Sequence, residues 1–163
     1  MAVKQLKPVG DFPTPGLAGR LASAFYDFLL CLGLVMVITL LYQQGVLRQL
    51  YGSDTLRAMS EAGTLDHDPV LSIVVLLSLF AFFGTFWTLK GQTLGMQVWR
   101  LRVEQAEGHS ITWRQAVIRF LVAFPAWLLG GLGILWALWD RQSRTWQDIA
   151  SGTRLVKLPK TKG

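Results

Sequence analysis

Asp27 is a carboxylate in a place where charge is costly. It falls inside an apolar run from Leu21 to Tyr42 that is otherwise polar only at Ser23 and Thr39. In a membrane helix an unpaired carboxylate costs at least about 2.5 kcal/mol, so a partner is expected. Arg20 stands seven residues earlier, on the same helical face but within reach only of a long side chain. Gly19, Ser23, Asp27 and Cys31 recur at every fourth position, a small polar stripe of the kind that admits a second helix closely. In a later run Ser78, Ala81, Thr85 and Thr88 form a similar stripe, and these two faces are expected to meet. Chemically, Asp27 suits either an ion or proton path or a buried polar clamp that orients helices.

Other chemistries find little support. Cys31 is the only cysteine and has no internal disulfide partner. His67 and His109 lie far apart in polar loops, with neither cysteine nor a carboxylate-rich helix beside them, and read as surface histidines. No metal or cofactor site is expected. There is no nucleophile–base pair or phosphate loop, and Ser151-Gly152-Thr153 alone does not make one, so no enzymatic activity is expected.

What positions Asp27 is a set of apolar segments. The chain has 163 residues, one domain's worth, of which 52% are hydrophobic and 16% charged, against about 25% charged in a typical soluble domain. Three stretches are long enough to cross a bilayer: Leu21–Tyr42, Val70–Leu89 without a charge, and Phe120–Trp139, also uncharged but holding Pro125, Gly130, Gly131 and Gly133. Backbone polar groups must pair internally in lipid, so an all-α membrane protein is expected, with helices over about 21–42, 70–89 and 116–139. A tail of 1–19 precedes this membrane domain of 20–156, and a basic tail of 157–163 follows it. The first stretch is longer than a signal-peptide core and no A-x-A site follows, so it reads as a retained signal-anchor. The net charge of +6 sits beside the apolar runs, which points to anionic lipid headgroups and not to nucleic acid.

The connectors differ in kind. Gln43–Pro69 is a polar loop with Asp54, Glu61, Asp66 and Asp68. Gln97–Val103 alternates, with Trp99, Leu101 and Val103 against Arg100 and Arg102, a strand pattern that Gly108 turns toward Ile111 as a small interfacial hairpin. Thr112 and Gln115 form a T-x-x-Q capping box that starts the next helix. Trp99 and Trp113 suit headgroup depth.

Charge then constrains topology. The N-terminal tail carries Lys4, Lys7 and Arg20; the first loop Arg48 and Arg57; the second connector Lys90, Arg100, Arg102, Arg114 and Arg119; the C-terminal tail Arg141, Arg144, Arg154, Lys157, Lys160 and Lys162. Three simple crossings divide these eight against eight, whereas a third stretch that turns back divides them fourteen against two. Because Lys and Arg favour the cytoplasmic side, a multi-pass inner-membrane protein with both termini cytoplasmic is expected. In it the third stretch is a broken, re-entrant helical hairpin that reverses at Gly130–Gly133, with arms of roughly 21 and 13 Å. A single straight crossing is the alternative.

These features resemble the RDD family of small bacterial membrane proteins. Arg20 and Asp27 match its R-x6-D pattern, Gly91-Gln92-Thr93-Leu94-Gly95 with Arg100-Leu101-Arg102-Val103 its connector, and Asp148-Ile149-Ala150-Ser151-Gly152-Thr153 its closing segment. The similarity runs from about Gly16 to Val156. Met96 and Gln147 replace a Lys and a His common in the family, so no role is carried onto those side chains. The resemblance implies a functional trio of Arg20, Asp27 and Asp148, with Asp140 as a lesser candidate for the third place, near the cytoplasmic interface. It implies an Arg held between two carboxylates, and a short helix capped by Thr145 and Asp148 as T-x-x-D. It also implies a transport-related role for a small solute or ion, for which a chain of this size would act as a homo-oligomer or with a membrane partner protein. A non-transporting scaffold or accessory subunit with a structural cluster is the competing reading.

Overall fold

The computed structural model describes residues 3–63, 65 and 68–160. Asp66, His67 and Lys162, named above, lie outside the described residues. Two compact units divide the chain: Met1–Phe28 with Phe82–Gly163, and Leu29–Ala81.

Helix α1 spans Leu17–Leu41. It begins four residues before the apolar run because Gly16 and Leu17 already supply helical acceptors, Arg20 N–H donating to the Gly16 carbonyl at 3.3 Å. Nor does the helix stop at Tyr42. Tyr42–Leu47 continues as a π-helical turn and Arg48–Tyr51 as α2, so 35 residues run unbroken until Gly52, at φ 79, ends them. The expected polar loop is therefore largely helical, since α3 (Ser53–Glu61) follows at once. Asp68 then caps α4 (Pro69–Leu89), accepting from Val70 N–H at 2.8 Å and from the Tyr42 hydroxyl at 2.9 Å. Both α1 and α4 are long and apolar enough to cross a membrane, and their leucines and valines are mostly exposed, as lipid-facing side chains are.

The unit that contains the Arg20 end of α1 and the Lys90 end of α4 holds the remaining elements. Short helix α5 covers Leu94–Val98 and strand β1 covers Leu101–Glu104. The strand exists where the alternation placed it, although Gln97 and Val98 are helical. Its partner is different from the one expected. β1 pairs antiparallel with β2 (Arg154–Lys157), Leu101 opposite Lys157 and Glu104 opposite Arg154, while Gln105–His109 forms only a turn. The N-terminal segment packs here too: Leu6 N–H donates to Gly108 O, Ser110 N–H to Lys4 O, and Lys157 N–H to Pro13 O. With both faces covered, all four residues of β1 are buried. Glu104, fully buried, accepts from Arg102 at 2.5 and 2.9 Å and from Arg154 at 2.9 and 3.1 Å.

Helix α6 (Trp113–Leu128) starts at the expected Thr112–Gln115 capping box. After Leu128 the chain bends by 107° into Leu132–Leu138, which comprises α7 (Leu132–Leu135) and a 3-10 turn (Trp136–Leu138). Gly130 and Gly131 both have positive φ, 66 and 80, a conformation costly for residues with a Cβ. Gly133 closes the angle, for a Cβ there would overlap that of Ala126. The arms, roughly 24 and 10 Å at 1.5 Å per residue, are each shorter than the roughly 30 Å of hydrocarbon. Helix α8 (Trp146–Ser151) starts at the Thr145–Asp148 capping box and ends at Gly152 in the left-handed region.

Candidate functional site

Three helices converge on Asp148. Arg20, in the first turn of α1, turns its Nη1 to 3.5 Å from Asp148 Oδ2. Arg119, in the second turn of α6, donates from Nη1 to Asp148 Oδ1 at 2.6 Å and also to the Thr153 hydroxyl. Thr145 donates its N–H to Oδ2 at 3.0 Å and its hydroxyl at 2.9 Å. Asp148 is 1% exposed, Arg119 2% and Arg20 6%. The implied arrangement of one arginine between two carboxylates is thus inverted: one carboxylate lies between two arginines.

Each arginine is further anchored. Arg20 Nη2 donates to Ser143 O at 2.6 Å and its Nε to Pro15 O at 3.2 Å. Arg119 lies over the Trp87 ring, 5.4 Å from its centroid, a cation–π contact. Thr153 is held by the Ser151 hydroxyl at 2.8 Å. Burial works to raise the Asp148 carboxyl. The Arg119 charge, the Thr145 N–H and the Arg20 charge outweigh it, and the group titrates below its ordinary range.

Asp27 stands apart from this cluster. Its Oδ2 accepts from the Thr93 hydroxyl at 2.5 Å and its Oδ1 from Gly95 N–H at 2.9 Å; among the described residues it makes no ion pair. The expected partner is therefore two neutral donors at the start of α5, not Arg20. Thr93 also caps α5, accepting from Met96 N–H at 3.2 Å. The spacing of the Gly91–Gly95 segment follows from this docking. A Cβ on Gly95 would lie 2.5 Å from Ser23 O and 2.8 Å from Asp27 Oδ1. Gly91, at φ 69, lets its carbonyl take the Val103 N–H at 2.6 Å.

Closing segment and connector thus serve two carboxylates in one unit. The profile of the RDD family matches residues 14–152. The chain belongs to the RDD family. No curated relative and no solved structure matches it.

Within this RDD domain the remaining candidates separate. Asp140 is held by its own turn: Arg144 donates through Nε at 3.1 Å and Nη2 at 3.2 Å, and the Arg144 and Gln142 N–H groups add to these. The Arg144 side chain and amide bring its carboxyl down to about 2. Its contribution to the cluster is indirect, because this turn presents Ser143 O to Arg20. Thr88 is buried but bonds back to Gly84 O at 2.7 Å. Thr85 is exposed and Ser78 is partly so. The Asp27 side chain and the Ser23 carbonyl of α1 meet α5, and the Ser78–Thr88 stripe supplies no hydrogen bond to Asp27 among the described residues.

Sequence reasoning missed Arg119 as a member of the cluster and read it as a mark of helix entry. Its neighbours in Ala116–Val122, all apolar, were the available signal: an arginine set in such a run needs a buried anion. Thr93 carried a signal only through its place in the family motif.

Proposed function

We propose that this RDD protein is a non-enzymatic inner-membrane scaffold or accessory subunit, in which the Arg20–Asp148–Arg119 cluster is a structural lock. The enclosure of Asp148 carries this reading. Both carboxylate oxygens accept from protein donors, Arg20 adds its charge at 3.5 Å, and the group is 1% exposed, so no wet face is left for a passing ion. A lock of this kind ties α1, α6 and α8 together.

The same reading gives the protein two crossings, α1 and α4, and a re-entrant α6–α7 pair, with both termini cytoplasmic. Pairing of β1 with β2, and of the N-terminal segment with both, supports it. Segments hydrogen-bonded in one unit share one side of a bilayer, so a chain that leaves through α6 has to return before β2. Fourteen of the sixteen Lys and Arg then lie on that side, where the tail binds anionic headgroups. A reporter fused after Lys160 that is active only in the periplasm overturns this topology.

A transport role, for a cation or proton in a homo-oligomer, is favoured by one observation. Asp27 is a carboxylate in a membrane-type helix with neutral donors only, so no cation would have to be displaced for it to take up a proton. The two readings part on Asp27→Asn, with assembly measured by size-exclusion profile and cation flux in reconstituted vesicles. Under the scaffold reading the wild type shows no flux above empty vesicles. Flux that the wild type has and an assembled Asp27→Asn lacks establishes transport.

A further inference from the structure

The other unit carries a hollow with a distinct chemistry. Gln43, Gln44, Arg48, Ser53, Leu56, Arg57, Ser60 and Leu65 enclose about 190 Å³. The connector between α1 and α4 has only two basic residues, Arg48 and Arg57, and both line this one space. Of its acidic residues, the described Asp54, Glu61 and Asp68 do not. Arg48 makes a single long bond, from Nη1 to the neutral Gln44 Oε1 at 3.3 Å, and among the described residues no carboxylate pairs with either arginine. Two glutamine amides and two serine hydroxyls stand beside them. The nine-residue α3 begins at the rim with Ser53, after a Gly52 cap that offers its first-turn amides no side-chain acceptor, although Asp54 in that turn offsets part of the helix charge.

The position matters as much as the composition. Val46, Leu50 and Tyr51, on the same helical stretch as Arg48, are exposed at 46, 69 and 52%. Exposed apolar and aromatic side chains alternating with arginine suit the depth of lipid headgroups.

We propose that this hollow binds a phosphate-bearing anion at the membrane surface, through Arg48 and Arg57 as charge-assisted donors with Gln43, Gln44, Ser53 and Ser60 as neutral ones. Its source is either the headgroup of an anionic phospholipid or inorganic phosphate, which share the chemistry the arginines recognise.

The test uses the purified full chain in detergent. Binding of a short-chain phosphatidylglycerol, of phosphatidylcholine and of inorganic phosphate is measured by native mass spectrometry for the wild type, Arg57→Gln, Arg48→Gln/Arg57→Gln, and a tail control, Lys157→Gln/Lys160→Gln. Arg57 is exposed and its side chain makes no hydrogen bond among the described residues, so Arg57→Gln is expected to leave the melting temperature unchanged. It is expected to weaken phosphatidylglycerol binding about tenfold, the worth of one charge-assisted bond, while the double variant falls to the phosphatidylcholine level and the tail control keeps this high-affinity site. Displacement of the lipid by millimolar phosphate assigns the site to the free ion, and its absence assigns the site to the headgroup. Wild-type affinity of Arg57→Gln for both phosphatidylglycerol and phosphate overturns the proposal.

Discussion

Asp27 and Asp148 are both buried aspartates of one unit, yet they are held by opposite means. Asp148 receives two guanidinium groups, and the cluster keeps a surplus positive charge. Asp27, farther along an apolar helix, receives a hydroxyl and a backbone amide, and among the described residues no second charge is brought to it. The difference shows two ways of making a carboxylate tolerable away from water. Cations work well where helix ends bring them together near an interface. Farther along the helix a cation would add its own desolvation cost, and short neutral donors avoid it.

That contrast can be broken most directly at Asp148. Asp148→Ala leaves Arg20 and Arg119 buried without their anion, and a loss of about 3–5 kcal/mol is expected, read as a large fall in the detergent melting temperature. Acid should act on the same bond. The Asp148 pKa is lowered by folding, so its contribution is complete above the ordinary value of 3.8 and is lost as pH falls from there through the lowered pKa. Stability should therefore drop steeply below about pH 4 in the wild type and less steeply in Asp148→Asn, compared by melts across pH.

Gly95→Ala tests the neutral site through shape. Its new Cβ meets Ser23 O and Asp27, so α5 has to retreat at a cost of about 1–3 kcal/mol, with protease sensitivity rising near Thr93. Asp27→Asn should cost less, about 1 kcal/mol, because an amide can still accept from Gly95 and donate to Thr93. If Asp27→Asn proves as damaging as Asp148→Ala, the distinction between the two sites fails. Smallest of all is Arg144→Gln, at a pair whose arginine is partly exposed, where no measurable change in melting temperature is expected.

The sequence made legible whatever depends on local pattern. Apolar length located α1, α4 and α6; Thr112–Gln115 and Thr145–Asp148 marked helix starts; and Gly130–Gly131 marked the bend. Charge distribution argued for a reversal there, and the 107° bend is compatible with one. Partnerships between distant residues were not legible. Thr93 reaches Asp27 across 66 positions and Arg119 reaches Asp148 across 29, separations at which no period or spacing is diagnostic. β1 paired with β2 instead of its neighbour because Gln105–His109 closes into a turn whose far arm goes to the N-terminal segment. The α1 extension was hidden by polar residues such as Gln43 and Gln44, which a π-helical turn accepts without difficulty.

The pairing of β1 with β2 also sets an order in time. Strand β2 is made after every other described element, and until it arrives β1 has an open edge and Glu104 lacks one of its two arginines. During synthesis α1 and α4 are made before this sheet can close. Sheet closure and the Asp148 cluster, only six residues before β2, can then form only after the bent pair has been made.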